Sequence, residues 1–79
     1  MFLKTGSTGP TVRDLQESLN VAVPFPPLLV LDGIFGPKTH QRVVTFQQQA
    51  GLIADGVVGP ITSKVLVGQV IALLKNNAG

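Results

Sequence analysis

Two stretches of the chain place apolar residues at helical spacing. Val12, Leu15, Gln16 and Leu19 fall at i, i+3, i+4 and i+7, and Val43, Phe46, Gln47 and Ala50 repeat the same order of apolar, apolar, glutamine, apolar. A period of 3.6 residues gathers each set on one face, so the pattern predicts two amphipathic helices whose inner stripe carries a glutamine. A third stretch, with Val65, Leu66, Val67, Val70, Ile71, Leu73 and Leu74, is apolar over well over half of its circumference. One core face cannot use all of it. Between the first two stretches, Val21 to Leu31 holds Pro24, Pro26 and Pro27 and the run Leu28-Leu29-Val30-Leu31. A lone strand has no partner in so short a chain, so this segment is expected to be an extended loop tucking its leucines against the helices.

The punctuation between these stretches repeats. Asp32-Gly33-Ile34-Phe35-Gly36-Pro37-Lys38-Thr39 returns 23 residues later as Asp55-Gly56-Val57-Val58-Gly59-Pro60-Ile61-Thr62, and Gly6-Ser7-Thr8-Gly9-Pro10 is a third copy without the acid. In each copy the first glycine permits a positive φ and the second can serve as an N-cap. Proline at the first helical position gives up no hydrogen bond. Helices are therefore expected to begin near Pro10, Pro37 and Pro60. The first should fray near Asn20, ahead of Pro24, the second should close at Gly51 as its C′ residue, and the third should run to about Asn76. The expected architecture is all-α: one small three-helix bundle over residues 1–79, with Asp-Gly-x-x-Gly turns between helices and an extended third helix.

Composition narrows the chemistry. Hydrophobic residues make up 44% of the chain and charged residues 13%, so apolar packing rather than disorder is expected. Without cysteine there is neither a disulfide nor a thiolate. The net charge of +2 comes from six scattered basic residues and no basic stripe, which points away from nucleic acid. No stretch reaches the roughly 18–20 apolar residues of a membrane span, and the first residues lack the apolar run of a signal peptide. His40 is the lone histidine, so no metal site or other cofactor is expected. No nucleophile–base arrangement is visible, and no catalysis is expected of this chain.

The strings Val12-x-x-Leu15-Gln16-x-x-Leu19, Leu31-Asp32-Gly33-Ile34-Phe35-Gly36-x-x-Thr39, Val43-x-x-Phe46-Gln47 and Gly51-Leu52-x-x-Asp55-Gly56-x-Val58-Gly59-x-x-Thr62 together resemble the peptidoglycan-binding domain family. The resemblance covers about residues 6–66 and leaves 67–79 as a C-terminal extension of helix three. It implies a non-catalytic, carbohydrate-binding, three-helix module of exported bacterial or phage proteins, working in the periplasm, cell wall or extracellular space. Such modules are appended to amidases, muramidases and carboxypeptidases and tether them to the wall. The propeptides of matrix metalloproteinases share the fold resemblance, but they rely on a cysteine that this chain lacks. Relatives often carry tyrosines after helix one, where this chain has only Phe25 and no Tyr or Trp anywhere.

Asp32 and Asp55 are expected to accept hydrogen bonds from their own turns, with Gly33, Gly36, Gly56 and Gly59 as scaffold. Gln16 and Gln47 are expected to tie helix to loop. The candidate binding surface is the start of helix two, where unpaired backbone N–H groups and the positive end of the helix dipole meet Lys38, His40, Gln41 and Arg42. Arg13 and Asn20 are candidate borders of the same groove. The expected ligand is peptidoglycan, through its stem peptide and glycan, with an attached hydrolase as a further partner. The alternative is a protein-interaction or assembly module that has kept the fold without wall binding and self-associates through the apolar helix three.

Overall fold

Three proline residues start the three helices of the computed structural model, which describes residues 2–78 and side chains as far as Lys75. Helix α1 spans Pro10–Ala22, α2 spans Pro37–Gln49 and α3 spans Pro60–Ala78. The part of the predicted C-terminal extension beyond Lys75 therefore has no described side chains. Gly9 and Gly36 are the N-caps of α1 and α2, and neither helix has a side-chain cap, so the proline at N1 does the local work of starting each one. Among the described residues there is no strand, only two isolated antiparallel bridges, Leu3 with Val58 and Thr8 with Ile34.

The helix ends follow from local chemistry. Helix α2 closes in a Schellman arrangement: Gly51 at φ 72° sends its N–H to Gln48 O at 3.2 Å, and Leu52 N–H reaches Gln47 O at 2.8 Å. Helix α1 runs two residues past the expected fraying point at Asn20, because Ala22 is buried and only Pro24 forbids continuation. Helix α3 likewise continues past Asn76, to Ala78.

Helix α1 packs against both others and supplies Val12, Leu15 and Leu19 to the core. Phe35, Val43, Phe46, Val58 and Leu66 complete the centre, each large side chain worth about 1.5–3 kcal/mol of burial. Of the run Leu28 to Leu31, only Leu29 is buried; Leu28 and Val30 face solvent, so the loop alternates rather than tucking all its leucines inward. In α3, Leu66 is buried and Val65 and Val70 pack partly on the core, whereas Val67, Ile71 and Leu74 stay about half exposed.

The N-terminal segment lies across both Asp-Gly turns. Gly9 N–H bonds Gly33 O at 2.9 Å, Phe35 N–H bonds Ser7 O at 2.9 Å, and Gly6 N–H bonds Phe35 O at 3.0 Å. Farther back, Leu3 and Val58 exchange bonds of 3.0 and 2.8 Å. This strap satisfies turn backbone that no helix reaches.

Candidate functional site

Each Asp-Gly turn is organised by one buried glutamine from the preceding helix. Gln16, 1% exposed, sends Nε2 to Asp32 Oδ1 at 3.0 Å, Ile34 O at 3.0 Å and Thr39 Oγ1 at 3.1 Å, and its Oε1 accepts from Gly33 N–H at 3.0 Å. Gln47, equally buried, repeats the set with Asp55 at 3.1 Å, Val57 O at 3.0 Å, Thr62 Oγ1 at 3.2 Å and Gly56 N–H at 2.9 Å. The aspartates also accept from their own turns, Asp32 from Ile34 N–H and Asp55 from Val57 N–H, both at 2.9 Å.

These bonds favour the ionised carboxylates. The Gln16 amide, then the Ile34 N–H, hold Asp32 below the ordinary 3.8. For Asp55 the Val57 N–H leads and the Gln47 amide follows, with the same direction. Both acids thus serve as turn acceptors, as their sequence setting predicts. The first glycine of each turn is a requirement of shape. Gly33 has φ 71° and a Cβ there would lie 3.0 Å from Gly9 O; Gly56 has φ 74° and a Cβ would collide with the His40 ring.

By fixing the turn, Gln16 sets where α2 begins, and there the surface opens into a groove of about 820 Å³. One side is α2 itself, with Lys38, Gln41, Arg42 and Thr45; the other is the loop, with Phe25, Pro27, Leu28 and Val30; Asp32, Ile34 and Thr39 form the floor and rim. Phe25 is 51% exposed, the only aromatic side chain among the described residues that line this groove. The first turn of α2 leaves the Lys38 and Thr39 N–H groups without helical acceptors, so the groove combines an apolar wall, two cations, the Asp32 carboxylate already engaged by Gln16 and Ile34, and a positive helix end. Its chemistry suits a ligand with a carboxylate at one end and an apolar face along the other.

Of the sequence candidates, Lys38, Gln41 and Arg42 come together on this groove, while Arg13, Asn20 and His40 do not line it. Arg13 pairs loosely with Glu17 at 3.9 Å on the outer face of α1. The amide of Asn20 is used on the backbone of Leu29. His40 is half-buried and packs on Gly56 of the second turn. Arg42 bonds Val23 O at 3.1 Å and Pro27 O at 2.9 Å, so its guanidinium fastens the loop as well as facing the groove. Sequence reasoning marks Phe25 only as an aromatic and misses Leu28 and Val30 as groove walls. Their signal is the alternation about Leu29, visible once one residue of the run is known to be buried.

The family model described as "Putative peptidoglycan binding domain" matches residues 8–66. The zinc D-Ala-D-Ala carboxypeptidase of Streptomyces albus G is 43% identical over 60 residues, covering 76% of this chain and 24% of the carboxypeptidase. The N-acetylmuramoyl-L-alanine amidase CwlL of Bacillus licheniformis is 39% identical over 65 residues, 82% of this chain and 18% of the amidase. The chain therefore spans a quarter or less of the length of these curated relatives. Among solved structures, the SleB N-terminal domain aligns with a TM-score of 0.81 at 30% identity, over 89% of this chain and 93% of that one. A peptidoglycan-binding protein from Clostridioides difficile, solved in complex with glutamine hydroxamate, aligns with a TM-score of 0.76 at 35% identity, over 84% of this chain and 40% of that one. Three helices, twin glutamine-clamped turns and a family match over most of the sequence agree, and the chain belongs to the peptidoglycan-binding domain family, whose module recurs within cell-wall amidases and carboxypeptidases.

Proposed function

We propose that this chain holds peptidoglycan in the groove at the start of α2 and acts as a targeting module, without catalysis of its own, for an attached or associated cell-wall hydrolase. The observation that carries the reading is the convergence of Lys38, Gln41 and Arg42 with the apolar wall of Phe25, Leu28 and Val30. Stem-peptide carboxylates are drawn to Lys38 and to the uncapped N–H groups of α2, and Phe25 offers a face to the apolar side of a sugar ring. Individual contacts of this kind are weak, and their use is avidity: a tethered hydrolase gains effective concentration on a polymer that repeats the ligand. The working location is then the cell wall, as part of an exported protein.

Co-sedimentation with purified insoluble peptidoglycan at two salt concentrations tests this directly. Retention above that of an unrelated protein of equal net charge, falling as salt rises, is expected. Recovery equal to that control would sink the reading. Lys38→Ala should weaken retention about two- to fivefold, the size of one partly exposed ion pair. Retention unchanged in Lys38→Ala would move the site off α2.

A second reading rests on α3. Val67, Ile71 and Leu74 follow one another at i, i+4 and i+7 and are 52%, 48% and 57% exposed, a stripe beyond what the bundle core uses. It fits a protein contact, with a second copy of the chain or a neighbouring hydrolase domain as occupant. Sedimentation velocity separates the two readings: a concentration-dependent dimer without wall retention favours the α3 contact, and a monomer retained on the wall favours the groove.

A further inference from the structure

We propose that Asn20 and Arg42 are positioning residues for the ligand groove, fastening the loop between α1 and the first Asp-Gly turn so that its apolar side chains form a standing wall. This rests on the groove being the peptidoglycan site. The two side chains come from different helices and grip the loop by its backbone at three points. Asn20 on α1 donates Nδ2–H to Leu29 O at 3.0 Å and accepts Leu29 N–H on Oδ1 at 2.8 Å, pairing as a neighbouring strand would. Arg42 on α2 donates Nη1–H to Val23 O at 3.1 Å and Nη2–H to Pro27 O at 2.9 Å. Holding Leu29 inward fixes its neighbours Leu28 and Val30 outward, onto the groove, because side chains alternate along extended backbone.

The internal repeat supplies an independent comparison. Measured from the clamping glutamines, Asn20 corresponds to Gly51, and measured from the Asp-Gly turns, Arg42 corresponds to Val65. Gln16 precedes Asp32 by sixteen residues, whereas Gln47 precedes Asp55 by eight. The unit with the long loop thus carries both fasteners, and the unit without it carries neither. Neither residue is required by the turn clamp, which both units build alike. Their common feature is the loop that walls the groove.

A loop left to fluctuate would have to be ordered by each binding event, and that entropy subtracts from affinity. Asn20→Ala should therefore weaken retention on insoluble peptidoglycan about three- to tenfold at a temperature where circular dichroism shows both proteins fully folded. Its loss should leave the salt dependence as in wild type, because no charge is removed, whereas Lys38→Ala flattens it. Amide hydrogen exchange reports the cause: the Leu29 N–H should lose protection in Asn20→Ala while Val12 and Val43 in the helices keep theirs. Asn20→Asp keeps the acceptor for Leu29 N–H but turns a charged carboxylate oxygen onto Leu29 O in place of the donor, so it too should lose retention and Leu29 protection. Retention equal to wild type in an Asn20→Ala protein whose Leu29 amide has lost protection overturns the proposal, and so does retained Leu29 protection with weakened binding. If Asn20→Ala does not fold, Asn20→Asp decides by the same two readouts. A wild-type chain that peptidoglycan does not retain at all overturns the underlying functional reading instead, and is recognised without any variant.

Discussion

The unit formed by α1, the first Asp-Gly turn and α2 and the unit formed by α2, the second turn and α3 are two solutions to one problem. Both use a glutamine, 1% exposed, to gather a carboxylate, a turn carbonyl, a threonine hydroxyl and a glycine N–H, with bond lengths that differ by about 0.1 Å at most. They diverge beside the clamp. The first has eight more residues between glutamine and aspartate, a groove of about 820 Å³ and Lys38 at its edge. The second has a short connection, a pocket of about 390 Å³ and Ile61 in the corresponding place. The shared part fixes where a helix starts, and the added loop and changed side chain give the proposed ligand surface at the start of α2 its apolar wall and its lysine.

The largest test of that correspondence is removal of either glutamine. Gln16→Leu and Gln47→Leu each strand a buried glycine N–H and a buried threonine hydroxyl, and each is expected to cost about 2–4 kcal/mol, lowering the thermal midpoint by roughly 10 °C or more. Midpoints within a few degrees of each other would support equivalence; one neutral variant would break it. The two turn glycines should differ more. At both, alanine must adopt a positive φ, costing about 1 kcal/mol. At Gly33 the new methyl meets the Gly9 carbonyl, which is backbone, while at Gly56 it meets the movable His40 ring. Gly33→Ala should therefore lower the thermal midpoint more than Gly56→Ala, and His40→Ala should recover part of the second loss only; recovery in neither would mean that backbone strain dominates at both turns.

The smallest effect concerns acid. Asp32 and Asp55 are held below the ordinary 3.8 in the folded chain, so the folded state binds fewer protons than the unfolded one as pH falls toward their range. Their contribution is fully present above about pH 4 and is lost as pH drops through the lowered folded values. The thermal midpoint should be insensitive to these groups from pH 7 to 5 and should decline below about 4. Asp32→Asn combined with Asp55→Asn should flatten that decline, and an unchanged profile would show that the two turn carboxylates do not carry it.

Much of the scaffold was legible because its signals are local. Proline after glycine marked all three helix starts, Gly51 marked the end of α2, and the helical spacing of Gln16 and Gln47 placed both amides inside. Local rules also explain the small errors: Asn20 is a plausible place for a helix to fray, but burial of Ala22 carries α1 on to the limit set by Pro24. The candidate site was legible only in part. Lys38, Gln41 and Arg42 stand close in sequence on one helix and were found together. Asn20 and His40 looked equally polar and available, yet one grips Leu29 and the other packs on Gly56, partners 9 and 16 residues away along the chain.

By itself the sequence determined the number of helices, where they begin, the twin turns and the family, because these depend on φ preferences, missing N–H groups and a period of 3.6 residues, all set within a few positions. The tertiary structure decided which apolar residues of the loop and of α3 stay outside, and which polar side chains are used on backbone rather than left for a ligand. Those outcomes depend on what the rest of the chain brings within about 3 Å of each group, and neighbours in space are not encoded by neighbours in sequence.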